Sequence, residues 1–354
     1  MNITEDKPIK SYTFSEIEEI CRQQGLPRFR ADQLIGWIYK TGVTSYGEMT
    51  NLPAKMRDEL GKRFPLHETE LIDRQLSRDG TRKYVFRYFD GACVEAVGIP
   101  SRTRDEYDVP QHLSICFSTQ VGCPMECVFC ATGAEGFTRN LSAGEMIDQV
   151  RLVQEDFGVR ASHVVSMGQG EPFMNYDATI EALGFLNDGK KGFGIGARHI
   201  TISSCGLIPG IRRLSEDPRQ FTFALSLHSA RQDLRDTLMP RCTNTPLPSL
   251  KQALQAYVKA TGRRVSLEYL MMKGINDSNE DLEALITFCS NLLCHINLIP
   301  LNAVEHSPYQ PSSKNTLQRW MNTLSAAHKE VTIRDSRGSD IDGACGQLKN
   351  KLHE

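Results

Sequence analysis

The sequence lacks the marks of several protein classes. No apolar run approaches the roughly 20 residues of a membrane-spanning helix. The opening Met-Asn-Ile-Thr-Glu-Asp-Lys has no basic-then-apolar order of a secretory signal, so a cytoplasmic location is expected. There is no low-complexity tract and no internal repeat, which argues against a disordered chain or a solenoid. Charge of one sign is not in excess: 41 Lys and Arg stand against 43 Asp and Glu, a net charge of −2. A uniformly basic nucleic-acid binder is thereby excluded, and any such contact must come from local patches. With 40% hydrophobic and 24% charged residues over 354 positions, the chain is long enough for one large domain and a small accessory one.

Cysteine is plentiful. The eleven cysteines form an odd number without a secretory signal, which speaks against a disulfide framework. In a reducing compartment clustered cysteines bind metal or do chemistry. Cys21, Cys93, Cys242, Cys289 and Cys294 stand singly and read as small buried apolar side chains.

The pattern of the chain changes along its length. Residues 1–70 read as a small helical accessory domain. Thr13-Phe-Ser-Glu16 is a capping-box sequence, and Gly25 can close the helix it starts. Further helices are predicted over Ala31–Tyr39 and Ala54–Phe64. Their shared core is thin, so the bundle is expected to dock on a larger body. In residues 71–111 the period changes to a hairpin, Arg82–Phe89 and Ala92–Ile99 about Asp90-Gly91, followed by a polar linker. From 112 to 335 strands alternate with helices. Strands are predicted at 112–117, 162–167, 199–203, 221–227, 265–271, 295–299 and 331–334. Helices include one capped by Ser142 and Glu145, then Leu250–Tyr257 and Asp281–Leu293. Such alternation builds a parallel sheet with crossover helices, either an incomplete barrel or a large open sheet. Residues 336–354 form a tail.

Val121-Gly-Cys-Pro-Met-Glu-Cys-Val-Phe-Cys130 places three cysteines at x3 and x2 spacing just after the first strand of this array. Three thiolates are one short of the four that usually fill a cubane. One iron would then stay open for a chelating amine and carboxylate. Two other readings stand beside it. Cys116 or a histidine could complete a zinc site, or the i, i+4, i+7 spacing could put three core residues on a helix face. Gly122 and Pro124 favour a loop over that helix.

The cysteine motif resembles the signature of the radical S-adenosylmethionine superfamily. Cys116-x6-Cys123, Gly170-Glu171-Pro172, Ser226-Leu-His228, Ile299-Pro-Leu-Asn302 and Gly338-Ser-Asp-Ile-Asp-Gly-Ala-Cys345-Gly-Gln-Leu348 narrow the resemblance to the RlmN/Cfr family, as does Phe29-Arg-Ala-Asp-Gln-Leu34. The likeness spans nearly the whole chain. It implies an α/β fold, a partial (β/α)6 barrel with the helical accessory domain and hairpin. It also implies methylation of carbon 2 or carbon 8 of an adenine in 23S ribosomal RNA, with transfer RNA a further substrate of some members.

The resemblance implies a role for each matched residue. Cys123, Cys127 and Cys130 would hold one [4Fe–4S] cluster. Gly170, Glu171, Ser203, Ser226, Leu227, His228 and Asn302 would bind S-adenosylmethionine, two molecules of which are used per turnover. Cys345 would accept a methyl group, lose a hydrogen atom from it to a 5′-deoxyadenosyl radical, and attack the ring as a methylene radical. Glu95 would take the ring proton. Cys116 would release the product through a transient disulfide with Cys345. A flavodoxin or ferredoxin would supply electrons, and the chain would act as a monomer. Arg28, Arg30, Lys40, Lys55, Arg334 and Arg337 are candidate phosphate contacts. Two departures are visible: Gln169 stands where the family commonly has Met, and Cys205 where it commonly has no cysteine. Rival readings are another radical enzyme, such as a glycyl-radical activase, which needs neither Cys345 nor Glu95, and a zinc-dependent RNA-binding protein without catalysis.

Overall fold

The structure is a computed structural model that describes residues 7–67, 69–302 and 308–349. The accessory region contains α1 (Phe14–Gln23), α2 (Arg28–Ile35) and α3 (Ala54–Arg63). The capping box is formed: Thr13 N–H donates to the Glu16 carboxylate at 2.8 Å and Glu16 N–H to the Thr13 hydroxyl at 3.2 Å. Gly25 follows α1 with φ +69°. The second helix starts at Arg28 rather than Ala31, because the extended Pro27 ends the preceding chain there, and it runs on into a wider π turn over Gly36–Thr41. The bundle docks, as its thin core requires. Phe14 and Tyr39 pack on Phe185 with ring centroids 5.6 and 5.9 Å away. Buried Lys10 pairs with buried Asp148 at 2.7 Å.

Beyond the bundle, β1 (Glu70–Leu76), β2 (Arg82–Arg87) and β3 (Cys93–Pro100) form an antiparallel meander. Strand β3 pairs antiparallel with β4 (Leu113–Cys116). The polar stretch after β3 is therefore the connection between these two neighbours, closed by an Arg104–Pro110 bridge. A short ribbon, β5 (Gln120–Gly122) and β6 (Phe137–Asn140), flanks α4 (Ala131–Glu135).

The parallel strands are β4, β7 (His163–Ser166), β8 (Ile200–Ser204), β9 (Thr222–Ser226), β10 (Val265–Met271), β11 (Cys294–Pro300) and β12 (Glu330–Ile333). Crossovers run through α5 (Ala143–Phe157), α6 (Tyr176–Asn187), α7 (Ile208–Glu216), α8 (Gln232–Leu238), α9 (Leu247–Thr261), α10 (Asn279–Phe288) and α11 (Lys314–Ala326). The sheet is mixed and ten-stranded, in the order β1-β2-β3-β4-β7-β8-β9-β10-β11-β12. The α10 helix stops at Phe288, short of the expected Leu293, since Asn291 sits at φ +56° and turns the chain into β11. Buried aliphatic and aromatic side chains such as Ile202, Phe223, Leu267 and Ile296 fill the space between sheet and helices.

Candidate active site

The loop from Cys123 to Cys130 lies between β5 and α4, so the helical core reading fails. Gly122 holds φ +75°, and a Cβ there would come within 2.0 Å of the Gly136 carbonyl. Cys123 N–H donates to that carbonyl at 2.7 Å, Cys130 N–H to Cys127 O at 3.0 Å, and Val128 N–H to Leu238 O at 3.1 Å. The three thiols line one cavity of about 160 Å³. Burial pushes the Cys123 thiol up to about 12 and raises Cys127 and Cys130 as well, with Cys130 adding to the shift of the other two. Among the described residues no group of three or more His, Cys, Asp or Glu side chains is arranged to hold a single metal ion. A buried wall carrying three soft donors, on a loop pinned by backbone bonds, fits a positively charged iron–sulfur group.

The strand ends complete this cavity. Gly170, Glu171, Ser203, Ser226 and His228 line it. Gly170 has φ +102° and no room for a Cβ, which would lie 2.7 Å from Gln120 and Thr119. The buried Glu171 carboxylate accepts from Phe173 N–H at 2.9 Å and Cys205 N–H at 2.8 Å. Burial outweighs these bonds and raises its pKa. Glu171 offers the cavity a carboxylate acceptor for an ammonium group. His228 sits at φ +54°, with Asn276 Nδ2 donating to its carbonyl at 2.8 Å. Its Nδ1 accepts from Leu270 N–H at 3.1 Å, and burial depresses its pKa to about 3. The ring is therefore neutral, with its proton on Nε2. Leu227 stands apart. Its side chain is in the hydrophobic core, its N–H donates to Glu268 O at 3.0 Å, and it lines neither this cavity nor the second one described below.

Cys345 lines this first cavity and also a second, of about 340 Å³, that contains Cys116 and Asn302. The tail bearing Cys345 is held by Asn302 Nδ2 to Cys345 O at 3.3 Å, Ala131 N–H to Gly346 O at 2.9 Å, and Thr132 Oγ1 to Leu348 O at 2.6 Å. Cys116 ends β4. Burial first, then the nearby Cys345, pushes its thiol up to about 12, while Arg334 acts in the opposite direction. Both cysteines are free thiols here. The fold thus brings together two cysteines more than two hundred positions apart in the chain.

Glu95 lines neither cavity. It is buried on β3, paired with buried Lys83 at 3.3 Å, and accepts Lys349 N–H at 2.9 Å. Burial raises it to about 7 against the opposing Lys83 charge. Gln169 is no surface variation beside it: its Oε1 accepts Glu95 N–H at 3.0 Å while its buried Nε2 finds no hydrogen-bond partner among the described residues. Lys83 carries no sequence motif, and because a lysine in a strand normally faces water, nothing in the chain marks it. Three supposedly solitary cysteines have thiol partners: Cys242 with Cys205, and Cys289 and Cys294 with each other, joined side chain to side chain. Of the candidate phosphate contacts, Arg334 lines both cavities, and Arg337 lines the second and is bound to Asp79 at 2.8 Å.

Comparison with known proteins places this geometry among relatives. Residues 117–289 match the radical SAM superfamily, and residues 9–65 match the ribosomal RNA large subunit methyltransferase N-terminal domain. A Clostridium novyi protein named probable dual-specificity RNA methyltransferase RlmN is 39% identical over 344 residues, covering 97% of this chain and 98% of its own length. A protein of the same name from Alkaliphilus oremlandii is 41% identical, covering 96% and 97%. A solved structure, of a radical SAM methyltransferase from Sphaerobacter thermophilus, superposes with a TM-score of 0.87 at 39% identity, covering 98% of this chain and 100% of that one.

Proposed function

Because the chain belongs to the RlmN family of radical S-adenosylmethionine RNA methyltransferases, we propose that it methylates carbon 2 of an adenine in RNA, with Cys345 as methyl carrier. The substrate is 23S ribosomal RNA. The dual specificity in the relatives' names favours transfer RNA as the second substrate. The observation that carries this reading is the position of Cys345 on the wall common to both cavities, with the three loop cysteines on one side and Cys116 on the other.

When bound, one [4Fe–4S] cluster and two molecules of S-adenosylmethionine per turnover supply a methyl group and, by one-electron cleavage, a radical able to take a hydrogen atom. A carbon without a nucleophilic lone pair calls for such a route. Cys123, Cys127 and Cys130 hold the cluster. Gly170, Glu171, Ser203, Ser226 and His228 orient the cofactor, joined by the Leu227 backbone and Asn302. Cys345 delivers the one-carbon unit to the ring. Glu95 accepts the ring proton once incoming RNA has shifted the tail that Lys349 pins to it. Cys116 then attacks the Cys345 sulfur, and the product leaves as the two cysteines join. The adenine must be splayed from its stack to reach so deep a site. Residues 1–70 form the accessory unit that contacts RNA, 71–111 carry Glu95, 112–335 form the catalytic barrel and 336–354 the carrier tail. The electron donor is a flavodoxin or ferredoxin, and the working unit is a monomer.

Nucleoside mass spectrometry of unmodified RNA treated with the anaerobic enzyme tests the proposal. 2-Methyladenosine is expected, 8-methyladenosine would move the target atom, and Cys345→Ala should give neither. Cys116→Ala should accumulate an enzyme–RNA adduct. Normal turnover by Cys345→Ala would overturn the carrier role.

A further inference from the structure

Most charged groups on the second cavity already have a counter-charge. Asp335 pairs with Arg102 at 2.5 Å, and Arg337 with Asp79 at 2.8 Å. His163 shares a 2.8 Å hydrogen bond with His199 and a 3.0 Å one with Ser162, and burial together with His199 and His112 holds its pKa low. Arg334 is different. Among the described residues its carboxylate partner is Glu268, and that contact is long, at 3.9 Å. Glu268 takes shorter bonds on both oxygens, from Ser266 Oγ and Asn297 Nδ2, at 2.7 Å each. The other contact of the guanidinium is the Met167 sulfur, at 3.8 Å. The Arg334 backbone N–H is bound to Leu298 O at 2.8 Å, continuing the β11–β12 pairing, so the backbone is anchored independently of the side chain. The guanidinium faces both cavities beside Cys345, and its electrostatic partners include Cys345, Glu268 and Cys116.

We propose that Arg334 is the counter-charge of the thiol pair, a positioning residue that stabilises whichever of Cys345 and Cys116 is the attacking thiolate. This rests on the reading of those two cysteines as carrier and resolving residue. In the first attack the Cys345 thiolate pair forms an S–C bond to the sulfonium methyl. The old S–C pair stays on the departing sulfide, and the anion is consumed. In the later attack the Cys116 thiolate forms the S–S bond and the Cys345 S–C bond breaks. Two sulfurs are oxidised. The methylene carbon is reduced, keeping the electron pair and taking a proton. Each thiol thus becomes an anion in its own step, after its own proton has gone to solvent, and both anions form beside the same guanidinium. An arginine loosely held by Glu268 can serve each in turn, because a fixed bidentate ion pair would already be satisfied.

The test needs neither RNA nor S-adenosylmethionine. Full-length anaerobic holoenzyme is alkylated with iodoacetamide between about pH 6 and about pH 10, a range that brackets the ordinary thiol pKa, and the Cys345 and Cys116 peptides are followed by mass spectrometry. Arg334→Met should slow alkylation at both cysteines about tenfold at neutral pH, since losing the counter-charge lowers the thiolate fraction and a tenfold change in thiolate is one pKa unit. Arg334→Lys should recover most of the rate. Glu268→Gln, which removes the competing carboxylate, should speed alkylation and keeps the proposal open to refutation if Arg334→Met loses its cluster. Unchanged profiles in both variants overturn the counter-charge role. Unchanged profiles with weakened RNA binding would make Arg334 a phosphate contact instead. The carrier reading is judged separately, by whether wild-type enzyme given S-adenosylmethionine gains a methyl group on Cys345 in intact mass.

Discussion

Glu95 shows how burial and charge compete at one residue. Burial favours its neutral form and lifts it to about 7, while the Lys83 ammonium at 3.3 Å favours the carboxylate. A proton acceptor must be ionised before it acts. Lys83→Met should therefore move the acidic limb of the pH–rate profile upward by about one unit, depressing turnover at neutral pH and restoring it in mild alkali. An unmoved limb would show that Lys83 is structural. The same shift has a consequence for stability. The folded Glu95 holds a proton up to about pH 7, whereas its ordinary value is 4.5. Between those values the folded state binds more protons than the unfolded one, so stability contributed at this residue falls as pH rises. Glu95→Gln should flatten that part of the curve in denaturant titrations at acidic and neutral pH.

At the scale of elements, the cluster loop depends on two glycines meeting. Gly122 turns the chain with φ +75°, and its missing Cβ leaves room for the Gly136 carbonyl that accepts Cys123 N–H. Gly122→Ala combines a left-handed conformation with a backbone clash, a strain of about 1–3 kcal/mol or more. It should lower iron per chain and the melting temperature together, read by iron analysis and differential scanning. Full iron content in that variant would mean that the loop can be reshaped without cost to the site. The strands and helices that carry the other residues are better marked. Central parallel strands such as β10, Val-Ser-Leu-Glu-Tyr-Leu-Met, are buried on both faces and read as apolar runs. The meander's first strand, Glu-Leu-Ile-Asp-Arg-Gln-Leu, is a largely exposed edge with no clean alternation, and it escapes such a reading. The β5–β6 ribbon is too short to leave a periodic signal.

At the scale of the molecule, the accessory bundle and barrel share a core and a buried charge. Asp148 is pushed up by burial, yet Lys10 and Arg151 outweigh that and hold it below the ordinary carboxylate range, with Thr69 Oγ1 donating at 2.6 Å. Lys10→Met leaves this carboxylate with Arg151 and Thr69 and should destabilise the chain by about 3 kcal/mol in chemical unfolding, since removing the nearer cation of a buried pair exposes the desolvation penalty of the charge left behind. A change near zero would show that Arg151 and Thr69 suffice. Ser142 Oγ, which caps α5, also donates to Lys10 O at 2.7 Å, so helix start and interdomain contact are the same feature. Membership of the RlmN family removes the zinc-binding and glycyl-radical alternatives that composition and spacing had left standing.

Local spacing by itself determined the thiol triad, the capping boxes, the alternation of parallel strands and crossovers, and the motifs that mark the family. Each is decided by residues within a few positions of one another, where backbone geometry leaves little freedom. Only the tertiary structure decided that Cys116 and Cys345 share a cavity, that Glu95 lies behind the tail with Lys83, and that Arg334 faces thiols rather than solvent. Those contacts join β2, β3, β4, β12 and the tail, and they exist because the sheet, whose strands follow chain order, curls until the end of β4, the residue after β12 and the tail line one cavity. What a charged side chain does there follows from burial and from which partner is already taken, and neither is written in its immediate neighbours.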